Sequence, residues 1–424
     1  MRRALFISYN FPPMGGGGVQ RTVKFVKYLP EFGWEALVCA ADDKTYWVRD
    51  ETLLDEIPKG TIIRRTPPLR PRFLISALER ITSKAFAERL IKNVFIPDDR
   101  IIWALSVVFK ALRLIKRHDV RLIYSTSPPH SSHLAALLLK KVTRLPWVCD
   151  FRDPWTKNYL FNPPNGWVES INEMMERGVM RGADRTICIT ERARGIYGEL
   201  PWVDSDRLVT IYNGYDPDDF SGKKDRKIDS NKLIITHSGS LYGGNYPKYF
   251  FLAVERLLRE EPSLRERLLF RFAGVMEGEI ESEIGDHLGG NSQFLGYMTH
   301  REAVDAVAES DCNLMVIKAD ENASYHAAGK LFEYMGAGRP ILAVVPLGQT
   351  ADLVRSTGTG IVIHEDDPKA LCSRLKVAFA EIADMKKEGT FSPNIEAVER
   401  FERRRQAGRL AAIFDRLTAE KGKK

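Results

Sequence analysis

The sequence predicts two parallel α/β domains of the doubly wound kind. Strand-like apolar runs alternate with helix-period patterns along the whole chain, which is the signature of strands joined by crossover helices. A glycine-rich turn follows the first strand-like run of each half. A stretch rich in Lys, Asp and Ser at 216–231 separates the two halves, and 424 residues exceed one core of ordinary size.

In the first half the strands are expected at 4–8, 34–40, 61–64, 122–125, 147–149, 185–189 and 208–211. The helix after the first strand carries the apolar spacing Val19, Val23, Val26, Leu29. In the second half strands are expected at 233–237, 268–273, 293–295, 312–317, 341–345 and 361–363. The last thirty residues, 395–424, read as one long charged helix able to pack back on the first domain. The expected domains are therefore 1–215, 216–394 and the terminal helix 395–424. Sheets of this kind bind ligands beyond the carboxyl ends of their strands, so two facing domains would share one cleft.

Composition narrows the function. A hydrophobic share of 44% with 28% charged residues describes a soluble globular enzyme. No apolar run approaches the ~18 residues of a membrane span. Met1-Arg2-Arg3 leads straight into a strand rather than a signal peptide, so a cytoplasmic location is expected. The five cysteines lack Cys-x-x-Cys spacing and read as buried thiols. Residues 64–121 hold 14 Lys/Arg against 5 Asp/Glu, a net charge of +9 in a chain of +7. These charges interleave with 73–75, 90–91, 94–96 and 101–103, which are apolar and include Trp103. Such a segment suits an anionic membrane face; it equally describes two ordinary helices with a solvated basic side. No nucleic-acid motif accompanies it, so no nucleic-acid partner is expected.

The most informative stretch runs from Lys330 to Ile341, a short helix entering a Gly-Arg-Pro turn and a strand. Leu331, Phe332 and Met335 form its apolar face, which places Lys330 and Glu333 near its first turn. A helix start offers free N–H groups and a partial positive charge to an anion. A lysine there can pair with phosphate, and a carboxylate three residues on can accept from sugar hydroxyls.

Other turns are candidates of the same kind. Pro12–Arg21 contains Gly15, Gly16, Gly17 and Gly18 before a helix, either an anion site or a plain flexible turn. It fits neither Gly-x-Gly-x-x-Gly nor a Walker loop. The segment 211–216, Ile-Tyr-Asn-Gly-Tyr-Asp, closes the first half, and 237–245 is a second glycine-rich turn. Thr299 and Glu302 are spaced as a capping box. Asp150-Phe151-Arg152-Asp153 follows a strand, and its carboxylates either bind sugar hydroxyls or form a loop ion pair with Arg152. His130 and His133 read as part of a helix start, with no base role assigned. Asp216-x-Asp218 lacks partner ligands for a metal.

Taken in order, these pieces resemble a retaining glycosyltransferase of family four, with the GT-B fold of two facing Rossmann-like domains. The resemblance spans essentially the whole chain. It rests on the first glycine turn, on Ile211-x-Asn213-Gly214-x-Asp216, on Gly274 and Gly296 at strand ends, on Ser310-Asp311, and on Glu333-x-Met335-x-x-Gly338-x-Pro340. It implies transfer of a sugar from a nucleotide-diphosphate donor, without cofactor or metal, to a glycan or lipid-linked acceptor of surface polysaccharide or glycolipid synthesis. The donor site it implies takes Gly16, Gly17, Gly18 and Arg21 from the first domain. From the second it takes Gly239, Ser240, Gly243, Gly244, Asn245, Tyr297, His326, Gly329, Lys330, Leu331 and Glu333, with Glu333 on the ribose. Asp150, Arg152, Asp153 and Lys330 are the expected catalytic set.

Three departures from the family pattern stand out. Tyr325 replaces the glutamate eight residues before Glu333; Ser240 and Asn245 replace an Arg and a Lys; Arg152 replaces a His common in relatives. A leaving diphosphate needs positive charge as its bond breaks. Lys330 is the first candidate to supply it, followed by Lys248 and Arg21. The departures also leave open a catalytically altered protein, either an isomerase-like enzyme on a nucleotide sugar or a partner in a glycan-assembly complex.

Overall fold

The computed structural model describes residues 1–424 except 43–47, 69–81, 159, 222–230, 242–245, 319–323, 365–366 and 422–424. The expected positions Gly243, Gly244 and Asn245, most of the polar stretch at 221–231 and the apolar run 73–75 therefore lie outside the described residues.

The chain forms two compact units. The first comprises Met1–Tyr212 with Arg404–Lys424, the second Asn213–Arg403. In the first, β1 (Arg2–Ile7), β2 (Trp34–Ala41), β3 (Ile63–Thr66), β4 (Val120–Ser127), β5 (Trp147–Phe151), β6 (Arg185–Cys188) and β7 (Leu208–Thr210) make one sheet. Its order is β3-β2-β1-β4-β5-β6-β7 and every pairing is parallel. The order reverses between β1 and β4, the switch point at which a doubly wound sheet opens a crevice. Each expected strand of this half is present, with ends shifted by one or two residues.

The second unit repeats the scheme with β8 (Leu233–Ser238), β9 (Leu268–Ala273), β10 (Ser292–Gly296), β11 (Cys312–Val316), β12 (Ile341–Val344) and β13 (Gly360–Ile363). These run β10-β9-β8-β11-β12-β13, again all parallel, with the switch between β8 and β11. Its core joins Ile235, Phe250, Phe270, Leu314, Leu342 and Phe379, all buried.

Two expectations at the joins need correction. The final 30 residues are two helices, Ile395–Glu399 and Arg403–Lys421, rather than one. The break lies where Tyr215 N donates to Phe401 O at 3.2 Å and Arg403 N donates to Tyr215 O at 2.8 Å. A Cβ on Gly214 would sit 2.0 Å from Phe401 O, so the Asn-Gly of this segment serves a close backbone approach. The second helix belongs to the first unit: Phe414 meets Trp34 edge-on at 5.2 Å, and Asp415 accepts from Trp34 Nε1 at 2.8 Å. Likewise, 216–220 is not loose linker. Pro217–Phe220 is a short 3-10 turn whose Phe220 is buried. A Cβ on Gly336 would meet the Tyr215 and Phe220 rings at 2.5 and 2.7 Å, so that glycine lets its helix settle on them.

All five cysteines are free and buried. No helix among the described residues is long and apolar enough to cross a membrane.

Candidate active site

Within the second unit, the carboxyl ends of β8, β9 and β10 carry a row of glycines with positive φ: Gly239 at +114°, Gly274 at +152° and Gly296 at +69°. Gly239 N donates to Ala273 O at 2.8 Å and Gly274 N to Gly296 O at 2.9 Å. A Cβ on Gly274 would meet Gly239 O at 2.5 Å, so only glycine closes this rim.

Onto the rim points the helix Gly329–Ala337, ended by Gly338 in the left-handed conformation. Leu331, Phe332, Tyr334 and Met335 are buried, and the Tyr334 hydroxyl accepts from Ser238 N at 2.7 Å. That bond ties the helix to the end of β8. Its N-cap is Ala328, and no side chain caps its first N–H groups. The helix start therefore has no side-chain acceptor among the described residues.

Lys330 lies at the second helical position and its ammonium reaches back over Gly239. A Cβ there would be 3.3 Å from Lys330 Nζ, so the glycine makes room for the charge. Lys330 Nζ sits 3.1 Å from His237 Nε2. Burial draws the ammonium down to about 8, against the raising pull of Glu333. Glu333, one turn on, is partly exposed, with Oε1 3.8 Å from His300 Nδ1. His300 Nε2 lies 3.1 Å from Asp219 Oδ2. His300 opens the helix His300–Ala308 behind the Thr299–Glu302 capping box, which is present with both bonds.

The remaining expected positions divide. Gly239 borders Lys330, and it and Ser240 are partly exposed; Gly329 is partly exposed too, and Tyr297 stands exposed next to the Gly296 turn. His326 belongs to a segment held on the helix Gln349–Thr357, where Thr350 Oγ1 donates to His326 O at 2.8 Å and Gln349 N to Ser324 O at 2.7 Å. The side chain of Leu331 is in the core, and its N–H donates to Ala328 O at 3.1 Å. Lys248 is spoken for by Glu283 at 2.6 Å. Tyr325, where the family pattern has glutamate, is buried.

In the first unit, Gly16 and Gly17 lie exposed at the start of the helix Gly17–Tyr28, which has no side-chain cap. A Cβ on Gly18 would lie 2.8 Å from Arg152 Nη1, and the Arg152 guanidinium donates to Gly18 O. Arg152 Nε lies 3.7 Å from Asp153 Oδ2, the loop ion pair weighed from the sequence. Two expected site residues are structural instead. Arg21 is 1% exposed; its Nε and Nη2 donate to Asp150 at 2.7 and 3.1 Å, and its Nη1 to Tyr212 O at 2.7 Å. Asp150 is fully buried and also accepts from the Tyr124 hydroxyl. Both residues are buried, and they bond chiefly to each other.

The Asp153 loop is pinned from below. Trp155 N donates to Tyr197 Oη at 2.8 Å and Trp155 Nε1 to Asn172 Oδ1 at 2.8 Å, while Tyr197 donates to Glu176 at 2.7 Å. Burial raises Glu176 from its ordinary value. His130 stacks on Trp155 at 4.5 Å, and burial lowers it to about 4. His133 shares Ser125 Oγ with Trp147 Nε1 and is held well below its usual range by burial. Both imidazoles are neutral near pH 7, His133 in the core and His130 half-buried.

Residues 15–219 match the model of Glycosyltransferase Family 4, and residues 233–380 that of Glycosyl transferases group 1. No curated protein sequence matches the chain. Among solved structures it is similar to Anabaena HepE in complex with UDP and glucose, with a TM-score of 0.67 and 15% identity over 98% of this chain and 100% of that one. It is also similar to sucrose-phosphate synthase from Thermosynechococcus elongatus, with a TM-score of 0.63 and 13% identity over 99% and 100%. A third likeness is to UDP-GlcNAc 2-epimerase from Neisseria meningitidis bound to UDP-GlcNAc, with a TM-score of 0.56 and 12% identity over 98% and 99%. At such identities the likeness is one of fold, and the fold is GT-B.

Proposed function

Starting from a chain that is a glycosyltransferase, with a family-four region in its first half and a group-one region in its second, we propose that it moves a sugar from a nucleotide-diphosphate donor to a glycan or lipid-linked acceptor of cell-surface polysaccharide or glycolipid synthesis. The anomeric configuration is retained, the expectation its family resemblance carries. One observation supports the reading above the others. The Lys330 ammonium lies over Gly239, in the turn where the family pattern places cations that this chain lacks at Ser240.

In this reading the diphosphate lies at the uncapped start of the helix Gly329–Ala337, with Lys330 as its cation. Glu333 accepts from the ribose, with His300 beside it. As the sugar–phosphate bond breaks, negative charge grows on the leaving oxygen, and helix N–H groups and an ammonium already in place stabilise it without a divalent ion. In the first unit, the exposed Gly16–Gly17 turn and the Arg152–Asp153 loop are the candidates for acceptor contacts. Arg21 and Asp150 hold that turn to β5 and do not touch substrate.

The acceptor's setting is an anionic membrane face, bound by the first unit. Phe86, Leu90 and Val94 are exposed four residues apart on the helix Lys84–Val94. Ile102, Leu105 and Phe109 are exposed along one stripe of the helix Ile101–Arg117. Arg89, Lys92, Arg113, Lys116 and Arg117, exposed on the same two helices, supply the positive charge an anionic surface attracts.

A thermal-shift screen of nucleotide sugars tests the function, UDP-sugars first because structural neighbours hold UDP. A ligand at 100 times its Kd adds about 2.7 kcal/mol of stability. Stabilisation by one donor class, with nucleoside diphosphate released when acceptor is added, supports transfer; a flat screen contradicts it. Release without acceptor points to the altered-enzyme reading.

A further inference from the structure

His237 is the next-to-last residue of β8, beside Lys330, and is fully buried. Its Nδ1 lies 3.1 Å from Leu314 O, and a carbonyl oxygen can only accept, so Nδ1 carries the proton. A neutral ring then has a lone pair at Nε2, and that atom is the one 3.1 Å from Lys330 Nζ. Burial, and then the nearby ammonium, keep His237 well below its ordinary value, so the ring does not become a second cation near neutral pH. Among the described residues, the ionisable groups set against Lys330 are His237 from β8 and Glu333 from its own helix.

We propose that His237 is the positioning residue of Lys330. A backbone carbonyl on β11 fixes its tautomer, and the fixed tautomer presents an acceptor that holds the ammonium over Gly239. A neutral acceptor orients the ammonium without adding a second negative charge to that of Glu333. The consequence for turnover rests on the diphosphate reading above; the contact itself does not.

Two substitutions separate the halves of the imidazole. His237→Asn places an amide near the Nδ1 position, able to keep the bond to Leu314 O but too short to reach Lys330. His237→Gln places its amide near the Nε2 position, able to accept from Lys330 but not to serve Leu314. The readout is acylation of the Lys330 amine by an amine-reactive reagent across pH 6–10, quantified by mass spectrometry on the full folded chain, which needs no ligand. A positioning role predicts a parental titration for His237→Gln. It predicts about tenfold greater amine reactivity near pH 7 for His237→Asn, since an ammonium that loses an acceptor gives up its proton more readily. If His237→Asn titrates like the parent, or if both variants shift alike, the proposal is overturned. Unfolding of one variant leaves the other decisive: a shifted His237→Gln alone contradicts it and a shifted His237→Asn alone supports it. UDP binding by the parent is measured separately, so failure of the diphosphate reading is recognised on its own.

Discussion

The guanidinium of Arg21 grips the carboxylate of Asp150 through two nitrogens, at 2.7 and 3.1 Å, with both residues out of solvent. This pair joins the helix of the first glycine turn to the end of β5, and Tyr124 completes the carboxylate's bonding. Removing one partner strands a buried charge, which typically costs ~3–5 kcal/mol. Arg21→Met and Asp150→Asn are each expected to lower stability by that order in urea unfolding. A loss under ~1 kcal/mol would show that the pair is not the clamp described.

Glu333→Gln is expected to weaken donor binding ten- to a hundredfold, about 1.5–3 kcal/mol for a lost hydrogen bond to a charged acceptor. The fold should be unaffected, because the side chain is partly exposed and its neighbour is His300 at 3.8 Å. Calorimetric titration with the donor found in the screen measures this, and parental affinity would remove Glu333 from the ribose.

The lowered value of Lys330 gives a pH dependence with a definite sign. Below about 8 the free protein carries the ammonium, and above it the amine becomes neutral. A bound diphosphate favours the charged form, so binding should weaken above pH 8 and take up protons there. Calorimetry of UDP at pH 7 and pH 9, in buffers of different ionisation enthalpy, reads that uptake. Equal affinity and no uptake at pH 9 would contradict it.

Phe109→Ser combined with Leu105→Ser, both at exposed positions, should reduce cosedimentation with anionic vesicles while leaving stability within ~0.5 kcal/mol, as surface changes usually do. Binding should also fall as salt rises, since each basic residue near such a surface contributes ~1 kcal/mol by attraction that salt screens. Equal sedimentation with neutral and anionic vesicles at low salt would defeat the membrane assignment.

What could be read from the sequence was what local patterning encodes. The strands of both sheets, the Thr299–Glu302 cap and the Gly338 helix stop each follow from residues within a few positions of one another. Partnerships across the fold could not be read. Arg21 looked like a free cation beside a glycine loop because its partner Asp150 is 129 residues away. Lys248 looked free because Glu283 lies on another helix. The charged terminal stretch read as one helix, since nothing local marks where it meets Gly214 and Tyr215. In sequence His237 is only the start of a glycine-rich turn; its pairing with Lys330 spans 93 residues. Its one local signal is a histidine near the end of a strand that begins Leu-Ile-Ile.

The central claim is that Lys330 carries the charge opposite the leaving diphosphate, and one comparison tests it most directly: the rate of nucleoside diphosphate release, with donor and acceptor present, by the parent and by Lys330→Met. The substitution keeps length and removes charge at a partly buried position, so the protein should fold normally. Losing one preorganised donor to a developing anion typically costs ~2.7–4 kcal/mol. The account predicts a fall in turnover of a hundredfold or more, with donor affinity reduced far less. Near-parental turnover by Lys330→Met would contradict it and assign the charge to another group.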